Sequence, residues 1–230
     1  MRRAFVDRVT RLAGWLRRGH RAEVPSDGPV KVNLGSSLLV APGWVNVDGA
    51  LSALVASWPK PALRLFYRLA GIRAHMSEAE YIEVLKGNRF VHYNLEYGIP
   101  LPDGCADYIF ASHFLEHLSK DHGEQLVRET LRVLKQGGVV RIAIPDLAVF
   151  IEAYGEGRKE EAMDGVFEDW ELGDFARHRY MYDFEMLAAL LGRVGFTDVC
   201  RCEFREGRVP DLDELDNRPG SLVVEAAKPG

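Results

Sequence analysis

Hydrophobic and polar positions change period near residue 30 of this 230-residue chain. Before that point, Phe5, Val9, Leu12 and Leu16 recur at helical spacing. Arg2, Arg3, Arg8, Arg11, Arg17 and Arg18 surround them, so residues 1–19 are expected to form an amphipathic helix. Residues 22–28, with Pro25 and Asp27, read as a linker. From Val30 onward short strand patterns alternate with helical ones. Val30–Leu34, Trp44–Asp48, Phe90–Asn94, Asp107–Ser112, Val139–Ile144, Val199–Phe204 and Ser221–Ala226 are the expected strands. Helices are expected at Leu63–Leu69, Ser77–Leu85, Asp121–Lys135 and Phe184–Val194. Ser77 and Glu80 have the spacing of a capping box, Asp183 that of an N-cap, and Gly137-Gly138 and Gly195 are expected to stop the helices before them.

Strands separated by helices argue for a mostly parallel sheet covered on both faces. The expected architecture is one α/β domain over residues 29–230, interrupted by insertions at about 51–88 and 155–180. The second insertion is acidic and irregular, as a loop or lid would be. In such a sheet a ligand lies beyond the carboxyl ends of the strands. The residues to weigh are therefore Gly35, Ser36 and Ser37, then Asp48, Asn94, Ser112 with His113, and Asp146.

Gly35 allows close approach of the main chain, and Asp48, 13 residues later, offers a carboxylate to a ribose diol. A dinucleotide site needs a G-x-G-x-x-G turn, whereas the chain here reads G-S-S-L-L-V, which suits a nucleoside without phosphates. The string His113-Phe-Leu-Glu116-His117 matches the inverted zinc-protease motif H-x-x-E-H. It directly follows a buried strand, so we read it as a strand-to-helix turn, with His113 facing the site and no metal. The stretch His178–Asp183 (HRYMYD) gathers polar and aromatic groups before a helix, as a substrate-facing loop does.

Composition narrows the alternatives. The net charge is −5, and 47% of residues are hydrophobic. Residues 1–75 carry 12 Lys and Arg against 4 Asp and Glu; residues 76–230 carry 17 against 30. An acidic chain is a poor general binder of nucleic acid. The basic first helix could instead meet a peripheral membrane surface or, the reading we favour, dock on its own domain or on a second subunit. Three cysteines and no signal-peptide pattern point to a cytoplasmic setting.

Six strings together resemble a class I S-adenosylmethionine-dependent methyltransferase: VNLGSS (32–37), PGWVNVD (42–48), residues 94–118, residues 129–147, HRYMYD (178–183) and residues 208–229. The resemblance is closest to the type-11-like branch associated with sugar and polysaccharide biosynthesis. It implies a Rossmann-like seven-stranded sheet, S-adenosyl-L-methionine as cofactor, and a small-molecule or saccharide acceptor. Carried over, Asn33, Leu34, Gly35 and Ser36 line the methionine and ribose portion, and Asp48 holds the ribose hydroxyls. Asn94 and Leu95 flank the adenine, while Ser112 and His113 sit beside the sulfonium. His113, Asp146 and His178 are the candidate bases, His113 and Asp146 being favoured. Relatives carry a small pair ending in Gly where this chain has Ser36-Ser37. That departure motivates an alternative, a methyltransferase-like fold that serves only as a binding or assembly protein.

Overall fold

The computed structural model describes residues 2–74, 76–167 and 177–230, with the main chain alone for residues 2–7 and 74. Seven strands form the sheet: β1 (Lys31–Leu34), β2 (Trp44–Asp48), β3 (Arg89–His92), β4 (Ala106–Ser112), β5 (Leu134–Ile144), β6 (Thr197–Cys202) and β7 (Leu222–Ala227). Their order is β3-β2-β1-β4-β5-β7-β6. The first five run parallel, while β7 is antiparallel to both β5 and β6. The sheet is thus mostly parallel with a Rossmann-like arrangement, as expected. Strand order reverses at β1, between β2 and β4, and their carboxyl ends share one edge with those of β3 and β5.

The helices are α1 (Arg2–Leu16), α2 (Leu51–Val55), α3 (Lys60–Leu69), α4 (Glu78–Gly87), α5 (Lys120–Val133), α6 (Leu147–Gly155), α7 (Lys159–Phe167), α8 (Phe184–Val194) and α9 (Leu212–Leu215). Ser77 and Glu80 close the capping box of α4, Asp183 accepts from the Met186 amide to cap α8, and Gly195, at φ 116°, ends α8. Two expectations change. Helix α5 ends at Val133 rather than at the glycine pair, because Leu134 is already extended and pairs with Ala106. Gly137 and Gly138 instead lie in a bulge of β5 between the Leu134 and Val139 pairings. The stretch 155–180, expected to be irregular, contains α7; residues 168–176 lie outside the described residues.

Helix α1 docks on its own domain, though not by its apolar stripe. Leu12 and Leu16 are 58% and 67% exposed, whereas Gly14 is buried against Asn94. A Cβ at Gly14 would stand 3.1 Å from Asn94 Cβ, so the small residue sets the approach. Behind the helix, the Tyr93 hydroxyl donates to the Arg18 carbonyl and the Ala22 amide to the Pro100 carbonyl. Among the described residues no helix is long and apolar enough to cross a membrane.

Strand alternation divides the core. Val32, Leu34, Val45, Val47, Ile109, Ala111, Val140 and Ile142 join the main cluster beside α5 and α8 residues such as Leu126 and Leu187. The pairing register puts Asn46, Asn33, Phe110, Arg141 and Glu225 in one row on the other face. Arg141 is fully buried there, between Asp216 and Glu225. It also donates to the carbonyls of Glu203 and Glu206. Burial works against its charge, but the bonds and charges of Asp216 and Glu225 outweigh it and raise the guanidinium pKa. One side chain therefore holds the segment 203–216 against the sheet. Replacing it removes the buried cation between the two carboxylates, leaving Asp216 the Arg205 amide and Glu225 the Arg208 side chain; breaking such a pair typically costs about 3–5 kcal/mol. Arg141→Met is expected to lower unfolding free energy by that amount in urea titrations; an unchanged midpoint would show that the network is not under load.

Candidate active site

The turn after β1 and the end of β2 are fastened to each other by one carboxylate. Asp48 accepts from the Ser37 amide at 2.7 Å and from the Ala50 amide at 2.5 Å. Burial pushes its pKa up, against the lowering effect of those two bonds. Ser37 sits at φ 47°, the left-handed region a glycine adopts more readily, and the hydrogen bond that its amide donates to Asp48 helps hold it there. Gly35, at φ 65°, meets a neighbour at close range: a Cβ added to it would lie 2.3 Å from the Phe114 ring. The Phe114 ring thus packs directly on Gly35. The adjacent Ser36 hydroxyl is buried with no hydrogen-bond partner among the described residues.

The other expected cofactor residues take varied positions. Asn33 is buried and donates to the Leu39 carbonyl and to Asn46 Oδ1, so it builds the sheet end rather than facing outward. Leu34 and Leu95 are core residues. Asn94 caps the 3-10 turn Leu95–Tyr97 by accepting from the Glu96 amide. Asn94 also borders a cavity of about 1100 Å³, together with Leu12, Trp15, Tyr97, Phe167 and His178. Gly35 and Asp48 are not among the residues lining it. Ser112 is half-buried at the end of β4.

His113 follows Ser112 in a left-handed conformation, φ 48°, and its ring enters a closed set of bonds. Arg218 Nη1 lies 3.1 Å from His113 Nδ1, and Nε2 lies 2.8 Å from the Ser221 hydroxyl. That hydroxyl donates to the Arg218 carbonyl. A guanidinium can only donate, so Nδ1 carries the lone pair and Nε2 the proton. Glu116 Oε1 stands 3.4 Å from the same Nδ1. Asp146 lies elsewhere at this edge: it caps α6 through the Ala148 amide and pairs with Arg201 at 2.7 Å. His178 lies at the cavity, its Nδ1 3.2 Å from the Gly165 carbonyl.

Sequence reasoning missed the partners of His113. Arg218 and Ser221 are more than a hundred residues from it, and arrive because β7 runs antiparallel. Leu222 pairs with Ile144, so the residue before β7 lies at the carboxyl edge. The only local signal is the Pro219-Gly220 turn before that strand. His92 was missed as well. Its Nε2 meets the Gly49 carbonyl, its Nδ1 is buried without a partner among the described residues, and burial, with the charge of Arg17, pushes its pKa down.

A family model described as "Methyltransferase domain" matches residues 52–142, about two fifths of the chain. The chain carries a methyltransferase domain. The matched stretch includes Asn94, Ser112, His113 and Glu116 and begins after Gly35 and Asp48. No curated protein matches the chain. Among solved structures, a possible histamine N-methyltransferase from Thermotoga maritima is similar, with 18% identity and a TM-score of 0.48 over 96% of this chain and 91% of that one. A Haemonchus contortus phosphoethanolamine N-methyltransferase in complex with S-adenosyl-L-methionine has 13% identity and a TM-score of 0.48, over 96% of this chain and 53% of its own.

The residues at this edge fit S-adenosylmethionine chemically. Ser36 offers an orphaned buried hydroxyl. An ionised carboxylate has about four lone-pair positions, and the two amides use two of those on Asp48. At Gly35 the Phe114 ring covers the side on which a Cβ would stand. Gly35→Ala is expected to destabilise the enzyme, both through its positive φ, about 1–2 kcal/mol, and through the clash with Phe114. Phe114→Ala in the same chain should recover the clash component alone. Thermal denaturation of the four-member mutant cycle measures this coupling, and strict additivity would contradict the contact.

Proposed function

We propose that the methyl acceptor is an oxygen, or a nitrogen, of a small hydroxylated molecule of the saccharide class, and that His113 removes its proton. The observation that carries this reading is the ring of bonds around His113, which keeps a basic nitrogen at the carboxyl edge beside a buried carboxylate. When bound, S-adenosylmethionine supplies a methyl group on a sulfonium, which is already a good leaving group. What remains for the protein is to align the acceptor, for which positioning can contribute about 7–11 kcal/mol, and to take up a proton.

Arg218 is exposed, so an acceptor hydroxyl can displace it from His113 Nδ1 at small cost. The acceptor proton then passes to Nδ1, and the Glu116 carboxylate, 3.4 Å away, favours the resulting imidazolium. Ser221 keeps the ring oriented throughout by accepting from Nε2. The aromatic groups of Trp15, Tyr97 and Phe167 around the cavity supply faces on which a sugar ring stacks, and Asn94 and His178 supply polar contacts. The Asp146 carboxylate, bound by Ala148 and Arg201, serves to position α6 rather than to move a proton.

The test is transfer of isotopically labelled methyl groups to a panel of monosaccharides, glycosides and small amines, run with the wild type and with His113→Ala. A hydroxylated acceptor is expected to be labelled. The variant should lose about 10²–10⁴-fold in turnover while binding cofactor as the wild type does. A variant that turns over at the wild-type rate removes His113 from the role, and labelling confined to macromolecules overturns the acceptor class.

A further inference from the structure

Glu116, His117 and His178 each present one ligand atom, and these atoms all lie within 4.8 Å of one another. The Glu116 side chain is 1% exposed, and among the described residues neither carboxylate oxygen has a hydrogen-bond partner. The His113 Nδ1 stands 3.4 Å from Oε1, beyond a good hydrogen bond. A buried carboxylate is costly unless positive charge or donors face it, so this one is aimed at something the side chains alone do not supply.

The main chain builds the rest of the cluster. The amides of Arg179 and Tyr180 both donate to the Glu116 carbonyl, at 2.7 and 3.2 Å, and so fix the stretch bearing His178 beside the turn bearing Glu116 and His117. The two imidazoles lie 5.2 Å apart between centroids, with their planes at 50°. Each also meets a carbonyl through Nδ1: His117 that of Arg177 and His178 that of Gly165, both at 3.2 Å. Donation from Nδ1 sets the tautomer with its lone pair on Nε2. Metal-bound histidines are held by the same outer contacts, which orient the ring and raise its basicity.

We propose that Glu116, His117 and His178 form a binding site for a divalent transition-metal ion, Zn²⁺ being the ion that suits the donors best. Two imidazole nitrogens and one carboxylate oxygen are a common three-ligand set for zinc, leaving a fourth position open. Donors at roughly 2.1 Å from one ion stand about 3.4 Å apart, so small side-chain rotations close the site. The set is not the H-x-x-E-H pair. Residues 115–117 form a 3-10 turn, and His113 is engaged with Arg218 and Ser221. His178 borders the cavity, so the open position can take an oxygen of a ligand held there. This last role rests on the methyl-transfer reading, whereas binding of the ion does not.

The test uses the full chain, stripped of metal with a chelator and titrated with Zn²⁺ by calorimetry and with Co²⁺ by visible absorption. One ion per chain is expected, with the ligand-field bands of a low-coordinate Co²⁺ site. His117→Ala, His178→Ala and Glu116→Gln should each weaken Zn²⁺ binding by at least about 10–100-fold, while His20→Ala, at an exposed position, leaves it unchanged. Circular dichroism confirms that each variant is folded, and any one folded ligand variant suffices to decide. Absence of one-to-one binding, or equal affinity in the folded ligand variants, overturns the site. Loss of methyl transfer with Zn²⁺ binding intact would bear on the acceptor reading alone, and Zn²⁺ binding lost with transfer intact would bear on the metal's role alone.

Discussion

A carboxylate at the end of the second strand is the fastening on which the crevice depends. Parallel strands end with main-chain groups that the sheet no longer pairs, and the turns leaving them need partners from outside the ladder. Asp48 supplies two at once by taking the Ser37 amide on one oxygen and the Ala50 amide on the other. The cost shows in its raised pKa, which reflects burial. The gain is that the turn after β1 and the start of α2 are held at a fixed distance, with acceptor positions still in reserve between them. A site for a nucleoside without phosphates needs little more than this, whereas a phosphate cradle would need several amides converging at a helix N-terminus.

The second half of the site is assembled from much farther along the chain. Reversal of β7 carries Ser221 and Arg218 to the edge where His113 emerges, and the buried Arg141 pins the preceding segment through Asp216. Buried ion networks are weak sources of stability but effective at specifying one arrangement. That description fits here, because a shift of the 203–216 segment would displace the residues that set the tautomer of His113. Packing on one face of the sheet thus determines which proton sits on a ring at its edge.

Much of the fold was legible because its signals are local. Val30–Leu34 and Trp44–Asp48 alternate or run apolar over strand length, and Ser77 with Glu80 announces a helix start within four residues. Where two local signals compete, the reading fails. Gly137-Gly138 looks like a helix stop, but pairing of Leu134 with Ala106 ends α5 earlier and leaves the glycines to a bulge. The stripe Leu12 and Leu16 on α1 suggests a buried face, yet the helix docks through Gly14, the residue that lets it come closest to Asn94. The site was legible only in part. Gly35, Asp48 and His113 stand at strand ends and could be found there. Glu116 meeting His178, and His113 meeting Arg218, depend on tertiary placement that no spacing records.

The central claim is that the crevice between Gly35 and Asp48 receives S-adenosylmethionine. Isothermal titration of the purified chain with S-adenosylmethionine and with S-adenosylhomocysteine tests it most directly. The account predicts saturable binding of one cofactor per chain, with the affinity falling sharply in Asp48→Ala. Absence of heat at millimolar cofactor, or undiminished affinity in a folded Asp48→Ala chain, would contradict it.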